Sequence, residues 1–226
     1  AQKEVSRRHS IQYGLINKIG KYPRMMLGIG SMPACSCHRD VIITGIMGHM
    51  AVFIARNNIY AGNTPLRIKL IKQVIKALDE QELKTDVKKL FKRNIGAAIG
   101  SANPKKELEI VKKIYNETGV SLYRIYGINS DPRVIETAVL LRKTFGDKIE
   151  IFAGQLVDKE QGVALIEKAG VDGLVFGHGG GRQCTSATNG MALSSLEEIY
   201  SVVTDERFNS TTLLHEGGIG KALGGL

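Results

Sequence analysis

From residue 94 onward, short apolar runs alternate with amphipathic helical patterns, and this alternation constrains the fold more than any other feature. The runs are apolar at nearly every position, which is typical of strands buried on both faces of a parallel sheet. The patterns between them have apolar residues at helical spacing, and several begin at Pro or Asp, which favour a first helical turn. The order therefore predicts an α/β fold built from strand–helix units. The predicted strands are 95–99, 122–126, 149–153, 171–176 and 211–215, and the predicted helices are 104–116, 131–145, 158–168 and 194–203.

The residues before position 94 are less regular, but they extend the same pattern. We predict strands at 25–29 and 58–60, a helix at 47–57 between them, and one or two helices within 68–92. Seven strands with intervening helices predict a (β/α)8 barrel, a fold that takes about 250 residues. This chain has 226 residues, which is nearly enough.

We expect one barrel domain over residues 1–226, with residues 1–24 as a basic N-terminal extension. We also expect the barrel to be incomplete at the C-terminus as the sequence stands, because too few residues follow the last predicted strand for a further helix and strand. A doubly wound open sheet is the structural alternative.

The charge of the chain is basic and unevenly distributed. Lys and Arg total 31 against 22 Asp and Glu, a formal net charge of +9, and the basic residues concentrate in 66–93 and in the N-terminal extension. Such segments attract phosphates or nucleic acid, but they are also typical of solvated helix faces and tails. No aromatic RNA-binding signature accompanies them and Trp is absent, so nucleic acid is not the favoured partner.

Cysteine content and hydropathy indicate the compartment. Three Cys, an odd number, do not form a secreted disulfide framework, and no apolar run approaches the ~20 residues of a membrane span. We therefore expect a soluble, cytoplasmic protein without a membrane partner. The Cys35-Ser36-Cys37-His38 segment lacks the second ligand pair of a structural zinc site, so incidental thiols are favoured there.

A glycine-rich loop containing a cysteine follows the predicted strand 171–176. Residues 176–191 are FGHGGGRQCTSATNGM. Glycines directly after a buried strand let backbone N–H and C=O groups approach a ligand closely. Cys184 lies near Arg182 and beside two hydroxyl side chains, which is compatible with a thiolate nucleophile and equally with an inert residue in a turn.

Two further strand ends carry polar or glycine-rich segments. Glu216-Gly217-Gly218 follows the last predicted strand, where a carboxylate suits a sugar diol and backbone N–H groups suit a phosphate. Gln155 follows Ala153-Gly154 and has an amide that can hydrogen-bond a ligand.

These segments together resemble a known family. In chain order they are GAAIG at 96–100, AGQLV at 153–157, AGVDGLVFGHGGGRQCTS at 169–186 and EGGI at 216–219. The set resembles the catalytic barrel of the IMP dehydrogenase / GMP reductase family over about residues 94–223. The most specific part is the glycine-rich loop ending in Cys-Thr, one helix and one strand before Glu-Gly-Gly-Ile.

The resemblance implies a reaction and a set of site residues. Cys184 would attack C2 of a purine nucleotide such as GMP or IMP, and a hydride would pass between the purine and NAD(P). Glu216 would hold the ribose hydroxyls and Gly218 the 5′-phosphate. Thr185 and Ser186 complete the implied catalytic residues. The other implied site residues are Arg182, Gly217, Gln155 and Gly181 for the substrate, Tyr126 and Gly127 for the cofactor, and the backbone carbonyls of Gly179, Gly181 and Cys184 for K⁺.

Five positions depart from the family pattern. Tyr126 replaces an Asp, Gln155 an Asn, Glu216 an Asp, and Arg182 a Ser. Ser186 stands where the family has a Thr near the leaving group or water. Arg182 could itself bind the phosphate through two parallel hydrogen bonds.

The resemblance also bears on the type of enzyme and its assembly. No pair of regulatory CBS domains is recognisable between Ala61 and Asn94, which favours a GMP reductase-like activity. The family implies a homo-oligomer, a tetramer or larger. Two other functions stay open from the residues alone. One is a different phosphate-binding barrel enzyme, a flavin-dependent one included, without a covalent Cys; the other is a non-catalytic nucleotide- or RNA-binding protein.

Overall fold

The computed structural model describes most of the chain, and its residues fall into two compact units. Unit 1 comprises the described residues within 1–99, 109–124 and 148–150, and unit 2 those within 100–108, 125–147 and 151–226. The described residues are 18–24, 26–27, 37–56, 63–127, 131–156, 158–176 and 196–215.

Unit 1 contains a short antiparallel hairpin and the first parallel strands. Strands β3 and β4 are parallel, as are β4 and β5, and both β4 and β5 are buried along nearly their full length. Continuous burial agrees with their apolar sequences MAVFI and IGAAI. The elements are β1 (Lys18–Ile19), β2 (Tyr22–Pro23), β3 (Met26–Leu27), α1 (Arg39–Met47), β4 (Met50–Ile54), α2 (Thr64–Asp79), α3 (Thr85–Lys92) and β5 (Ile95–Ile99).

Helix α2 shows how the basic segment folds. The Asn63 side chain caps it by accepting a hydrogen bond from the Leu66 N–H at 3.0 Å, and Pro65 lies in the first turn. Its apolar residues are buried at helical spacing, so most of its lysines are exposed, as predicted for a solvated face. Arg67 is different, because it is buried and donates from Nη2 to the Ala98 carbonyl.

Arg24 also departs from the predicted basic surface. It was grouped with the solvated or phosphate-attracting N-terminal residues, but it is 3% exposed and pairs with Glu150. The hydrogen-bonding capacity of its guanidinium is used inside the protein, so Arg24 is unavailable to an external phosphate.

Unit 2 continues the strand–helix pattern. Strands β7, β8 and β9 are consecutive and parallel. Helices α5 and α6 begin at Asp131 and Asp158, whose side chains accept hydrogen bonds from backbone N–H groups of the first turn. Gly170 ends α6 in the left-handed conformation at φ +53°. The elements are α5 (Pro132–Phe145), α6 (Lys159–Ala169), β8 (Gly173–Phe176), α7 (Leu196–Val203) and β9 (Thr212–His215), while α4 (Pro104–Thr118), β6 (Leu122–Tyr126) and β7 (Glu150–Leu156) contribute residues to both units.

Arg142 fixes the connection between α6 and β8. From the last turn of α5 it donates to the carbonyls of Ala169 at 3.1 Å and Gly170 at 2.8 Å, which end α6. It also pairs with Asp172 at 2.8 Å, whose carboxylate accepts from the Ile151 N–H. This network satisfies helix-end carbonyls and orders the segment that leads into β8.

The strand order identifies the fold. In unit 1 the sheet order is β3-β4-β5-β6 and in unit 2 it is β6-β7-β8-β9, with a helix or helix pair between consecutive strands. A doubly wound sheet reverses its strand order at a switch point, whereas a (β/α)8 barrel keeps chain order. The fold is therefore α/β of the (β/α)8 type and incomplete, with seven sheet strands in the described residues. The doubly wound alternative is wrong.

Most predicted elements are confirmed within a few residues, and one is wrong. The helix predicted at 47–57 is strand β4, preceded by helix α1. The run Met50–Ile54 is too short and too uniformly apolar for periodicity to separate a strand from a buried helix. Gly48 and His49, which has φ +59°, end α1 and turn the chain into the strand. The strand predicted at 58–60 lies outside the described residues.

No helix in the described part of the chain combines the length and hydropathy that a membrane span requires.

Candidate active site

Two strand ends in unit 2 lie side by side at the edge where the predicted site loops begin. Phe176, the last residue of β8, is paired in register with His215, the last residue of β9. The glycine-rich segment that contains Cys184 starts directly after Phe176, and Glu216 directly follows His215. The two predicted site segments therefore leave the sheet from neighbouring positions at the carboxyl ends of parallel strands, where barrel enzymes carry their active sites.

Strand β7 ends in an irregularity at Gly154 and Gln155. The register against β8 shifts between Ala153 and Leu156, and Leu156 is paired with Phe176. Gly154 has φ +141°, and a Cβ there would lie 2.2 Å from the Val175 carbonyl oxygen, so only glycine fits. The peptide bond between Gly154 and Gln155 is cis. A register shift of this kind redirects the side chains at a strand end.

Gln155 is the predicted substrate-binding residue that the structure describes most fully. Its side chain is 5% exposed, at the same strand edge as Phe176 and His215. A buried amide can form several directional hydrogen bonds, which suits it to fix one edge of a ligand.

The end of β6 is tied to the end of β7. The Gly127 N–H donates to the Gly154 carbonyl at 3.4 Å. A Cβ at Gly127 would lie 2.1 Å from Val134 Cγ2 and 3.1 Å from Ser101 Oγ. Gly127 therefore allows α5 to pack closely against the strand end, a role that is independent of any cofactor. Tyr126, before it, is half-buried.

Ser101 is a polar residue at this edge that sequence analysis missed. It follows β5 by two positions and is 6% exposed, with its hydroxyl close to Gly127. The signal available was its position, because a polar residue directly after a fully apolar strand is what marked Gln155 and Glu216. We include Ser101 among the candidate site residues.

Two hydrogen bonds hold the segments after β5, β6 and β7 together, and an ion pair within the segment after β6 supports them. The Asp131 carboxylate caps α5 and pairs with Arg133, which lowers the pKa of that carboxyl below its usual range. Arg133 Nη1 donates to the Ala102 carbonyl at 3.4 Å, and Gln161 Nε2 of α6 donates to the Asp131 carbonyl at 3.2 Å. The frame around Gln155 and Gly127 is thus fixed by side chains from two helices.

The remaining predicted site residues lie outside the described residues. These are Gly179, Gly181, Arg182, Cys184, Thr185, Ser186, Glu216, Gly217 and Gly218. Their roles stay predictions. Cys35 also lies outside, while Cys37 is buried. In the described ranges, no three His, Cys, Asp or Glu side chains come together in a way that could hold a metal ion.

Comparison with models of protein families identifies the family to which the chain belongs. The model of the "IMP dehydrogenase / GMP reductase domain" matches residues 15–224, nearly the whole sequence. The chain belongs to the IMP dehydrogenase / GMP reductase family. The resemblance of the segments after the strands is therefore confirmed, and the match extends it to the residues before position 94.

A search of curated proteins adds one relative of this family. Over 127 residues the chain is 31% identical to "Inosine-5'-monophosphate dehydrogenase" of Bacillus subtilis (strain 168). These residues are 55% of this chain and 25% of the relative, so the chain matches about a quarter of the relative's length. The activity of the whole relative therefore comes to this chain only as a proposal.

Proposed function

We propose that this chain is a purine nucleotide oxidoreductase that passes a hydride between a purine nucleotide and NAD(P). The main observation in support of this proposal is the family match over residues 15–224. The register pair of Phe176 and His215 supports it, because the segments bearing Cys184 and Glu216 start at adjacent points of one sheet edge. A site divided between two loops needs such an arrangement.

Cys184 is the proposed nucleophile. Its Sγ would form a bond to C2 of the purine, and the group on C2 would leave, as ammonia from GMP or as a hydride passed to NAD(P)⁺ from IMP. The C–S bond would break when a hydride from NAD(P)H, for GMP, or water, for IMP, takes the place of sulfur at C2. A nearby cation favours the thiolate over the thiol, and Arg182 is two residues away in sequence. Thr185 and Ser186 are the hydroxyl groups next to Cys184, and Ser186 is the one proposed to contact the leaving group or a water.

The rest of the nucleotide is bound by groups at three strand ends. Glu216 would accept hydrogen bonds from the ribose hydroxyls, and the N–H groups of Gly217 and Gly218 would bind the 5′-phosphate. Arg182 would add a guanidinium to the phosphate, with Gly181 allowing close approach. Gln155, buried at the end of β7, would hydrogen-bond the purine edge.

The described residues are compatible with a nicotinamide at the end of β6. Tyr126 offers a half-buried aromatic ring, with the Ser101 hydroxyl close to the adjacent Gly127. When bound, NAD(P) would supply the hydride acceptor or donor. Tyr126 and the Gly127 backbone would hold it against the purine, and the tight packing of Gly127 on Val134 would keep that wall rigid. The carbonyls of Gly179, Gly181 and Cys184 would hold K⁺.

A GMP reductase-like activity is the version that we favour. The segment between β4 and β5 holds only α2 and α3 beyond residues 57–62, which leaves no room there for a pair of CBS domains. We further propose that the active form is a homo-oligomer, as the family resemblance implies.

Ligand-dependent stability tests the substrate class. The melting temperature of the chain is measured with IMP, GMP, XMP, FMN and ribose 5-phosphate, since a ligand that binds only the folded state raises it. We expect GMP or IMP to give the largest increase. An increase with FMN alone, accompanied by flavin absorbance of the purified protein, would replace the proposal with a flavin-dependent barrel enzyme.

Cysteine substitution tests the covalent step. We expect Cys184→Ala and Cys184→Ser to abolish NAD(P)H-linked turnover while GMP or IMP still raises the melting temperature. Cys37→Ala is the matched control, because Cys37 precedes α1 and lies far in sequence from the proposed site segments. Full turnover in Cys184→Ala would remove the covalent mechanism.

A further inference from the structure

A basic groove lies between α2 and α4 in unit 1, and the proposed reaction makes no use of it. It encloses about 540 Å³, within the range of pockets that bind ligands or peptide side chains. Four lysines line it, Lys69, Lys72 and Lys76 from α2 and Lys113 from α4, against one acidic residue, Glu117. We call these residues, with Pro65 and Ile68, the α2–α4 groove.

The three α2 lysines recur at intervals of three and four residues, so they form a row along one helix face. From the first to the last, the row extends about 10 Å. All three are exposed, while Ile68 beneath them is 3% exposed. The groove therefore combines a basic rim with an apolar floor, to which the aliphatic stems of the lysines add.

Glu117, the acidic residue in the groove, shows that the lysines of the rim bind a carboxylate. Glu117 Oε2 lies 3.2 Å from Lys72 Nζ, so one carboxylate already binds this row from the α4 side. In the described ranges, Lys69 and Lys113 have no acidic side chain within ion-pair distance. Two ammonium groups thus lie at the groove without a counter-charge.

Electrostatics disfavours this chain's own segments as the occupant. The chain has a formal net charge of +9, and its N-terminal seventeen residues are basic. A second copy or that segment would bring like charge to the groove.

The lining also distinguishes between acidic partners. Among the described residues, no arginine and no aromatic side chain lines the groove, although these are the groups that bind phosphates through paired hydrogen bonds and stack on bases. Point-charge ammonium groups around an apolar floor match carboxylates on either side of an apolar side chain. We propose that the α2–α4 groove binds an acidic segment of another protein in which an apolar residue lies between glutamates or aspartates.

The proposal is tested with a fluorescein-labelled peptide of repeated Glu-Glu-Leu units, followed by fluorescence anisotropy with the full chain. Lys69→Glu combined with Lys113→Glu should weaken binding at least about tenfold, because two unpaired charges are reversed. The matched control is Lys105→Glu combined with Lys106→Glu. It makes the same change in net charge at exposed positions of α4 outside the groove, in a first turn where acidic residues are tolerated. It should change the affinity by less than about twofold.

Changes in the peptide test the basic rim and the apolar floor of the groove separately, without altering the protein. Replacing Glu by Gln should abolish binding to the unmodified chain, and replacing Leu by Ser should weaken it. These measurements decide the matter even if a lysine variant fails to fold. Three results would overturn the proposal: no binding of the Glu-Glu-Leu peptide, equal weakening in both lysine variants, or tighter binding of oligouridylate with the same dependence on Lys69 and Lys113.

Discussion

Arg24 and Glu150 form a bidentate ion pair in which both side chains are removed from solvent. Nη1 lies 2.8 Å from Oε2 and Nη2 lies 2.7 Å from Oε1, with side-chain exposures of 0% and 1%. Arg24 Nε also donates to Asn94 Oδ1, and its terminal nitrogens donate to the carbonyls of Ile19 and Arg93. The pair joins Arg24, the residue that directly follows β2, to the first residue of β7.

We expect Glu150→Gln to reduce the free energy of unfolding by about 3–5 kcal/mol. The change leaves the Arg24 guanidinium buried without its counter-charge, and the cost of breaking such a pair is of that order. Denaturant unfolding followed by circular dichroism measures it. Asp40→Asn is the control, because the Arg39–Asp40 pair is 54% and 81% exposed and should cost less than about 1 kcal/mol. If Glu150→Gln and Asp40→Asn lost the same free energy of unfolding, burial would not be what makes the Arg24–Glu150 pair important for stability.

The sequence predicted the regular parts of this fold well, for a physical reason. Strands such as 95–99 and 122–126 have the observed bounds because each is a short, largely apolar run beside a helix with its own start signal. Strand β4 was missed because its apolar run carries no periodicity and because Gly48 was not recognised as a helix end. Arg24 was missed because a sequence does not show that an arginine has a buried carboxylate partner more than a hundred residues away.

The site was predictable only in part. Gln155 was predicted because it follows Ala153-Gly154 at a strand end, and the structure places it, buried, near the end of β7. Its role toward a ligand stays a prediction. Ser101 has the same position after its strand, but a lone serine after a glycine carries no chemical signature. No sequence feature indicates the contact of Gly127 with Val134, since close approach between a strand end and a helix depends on tertiary packing.

Gly127→Ala should destabilise the chain by about 1–3 kcal/mol, because its Cβ would overlap Val134 Cγ2. Val134→Ala removes the obstructing methyl groups, at the cost of a cavity. We therefore expect the double variant to lose less than the sum of the single losses, with a coupling of about 0.5–3 kcal/mol. A double-mutant cycle by denaturant unfolding gives this value. Strict additivity would mean that the backbone moves to accommodate the methyl group.

The cluster of Arg207 with Asp205 and Glu160 should make stability depend on pH. Hydrogen bonds from Arg207, at 2.7 Å to Asp205 and 3.0 Å to Glu160, lower the pKa of both carboxyls below their usual range. A carboxylate with a lowered pKa stabilises the fold above its unfolded pKa, near 4, and this contribution is lost as the pH falls further through the folded value.

Arg207→Met should therefore lower the melting temperature at pH 6, and the difference from the unmodified chain should shrink below about pH 4. High salt should reduce the difference at pH 6, since the side chains of Arg207 and Glu160 are 44% and 64% exposed. Lys143→Met is the control: it removes an exposed cation of α5 that has no acidic partner among the described residues, so its effect should not change with pH. If the melting temperature of Arg207→Met differed from that of the unmodified chain by the same amount from pH 6 to pH 3, the lowered pKa values of Asp205 and Glu160 would be contradicted.

Gln155 offers the sharpest test of the nucleotide site among the described residues. If its amide hydrogen-bonds the purine, Gln155→Leu should raise KM for the nucleotide about three- to tenfold, the value of one net hydrogen bond, with a smaller change in kcat. Gln155→Asn keeps the amide and has the family's residue, so it should retain more affinity. The melting temperature of each variant separates a binding effect from a folding effect. A KM that stays unchanged in a stable Gln155→Leu variant would mean that this buried amide serves only the end of β7.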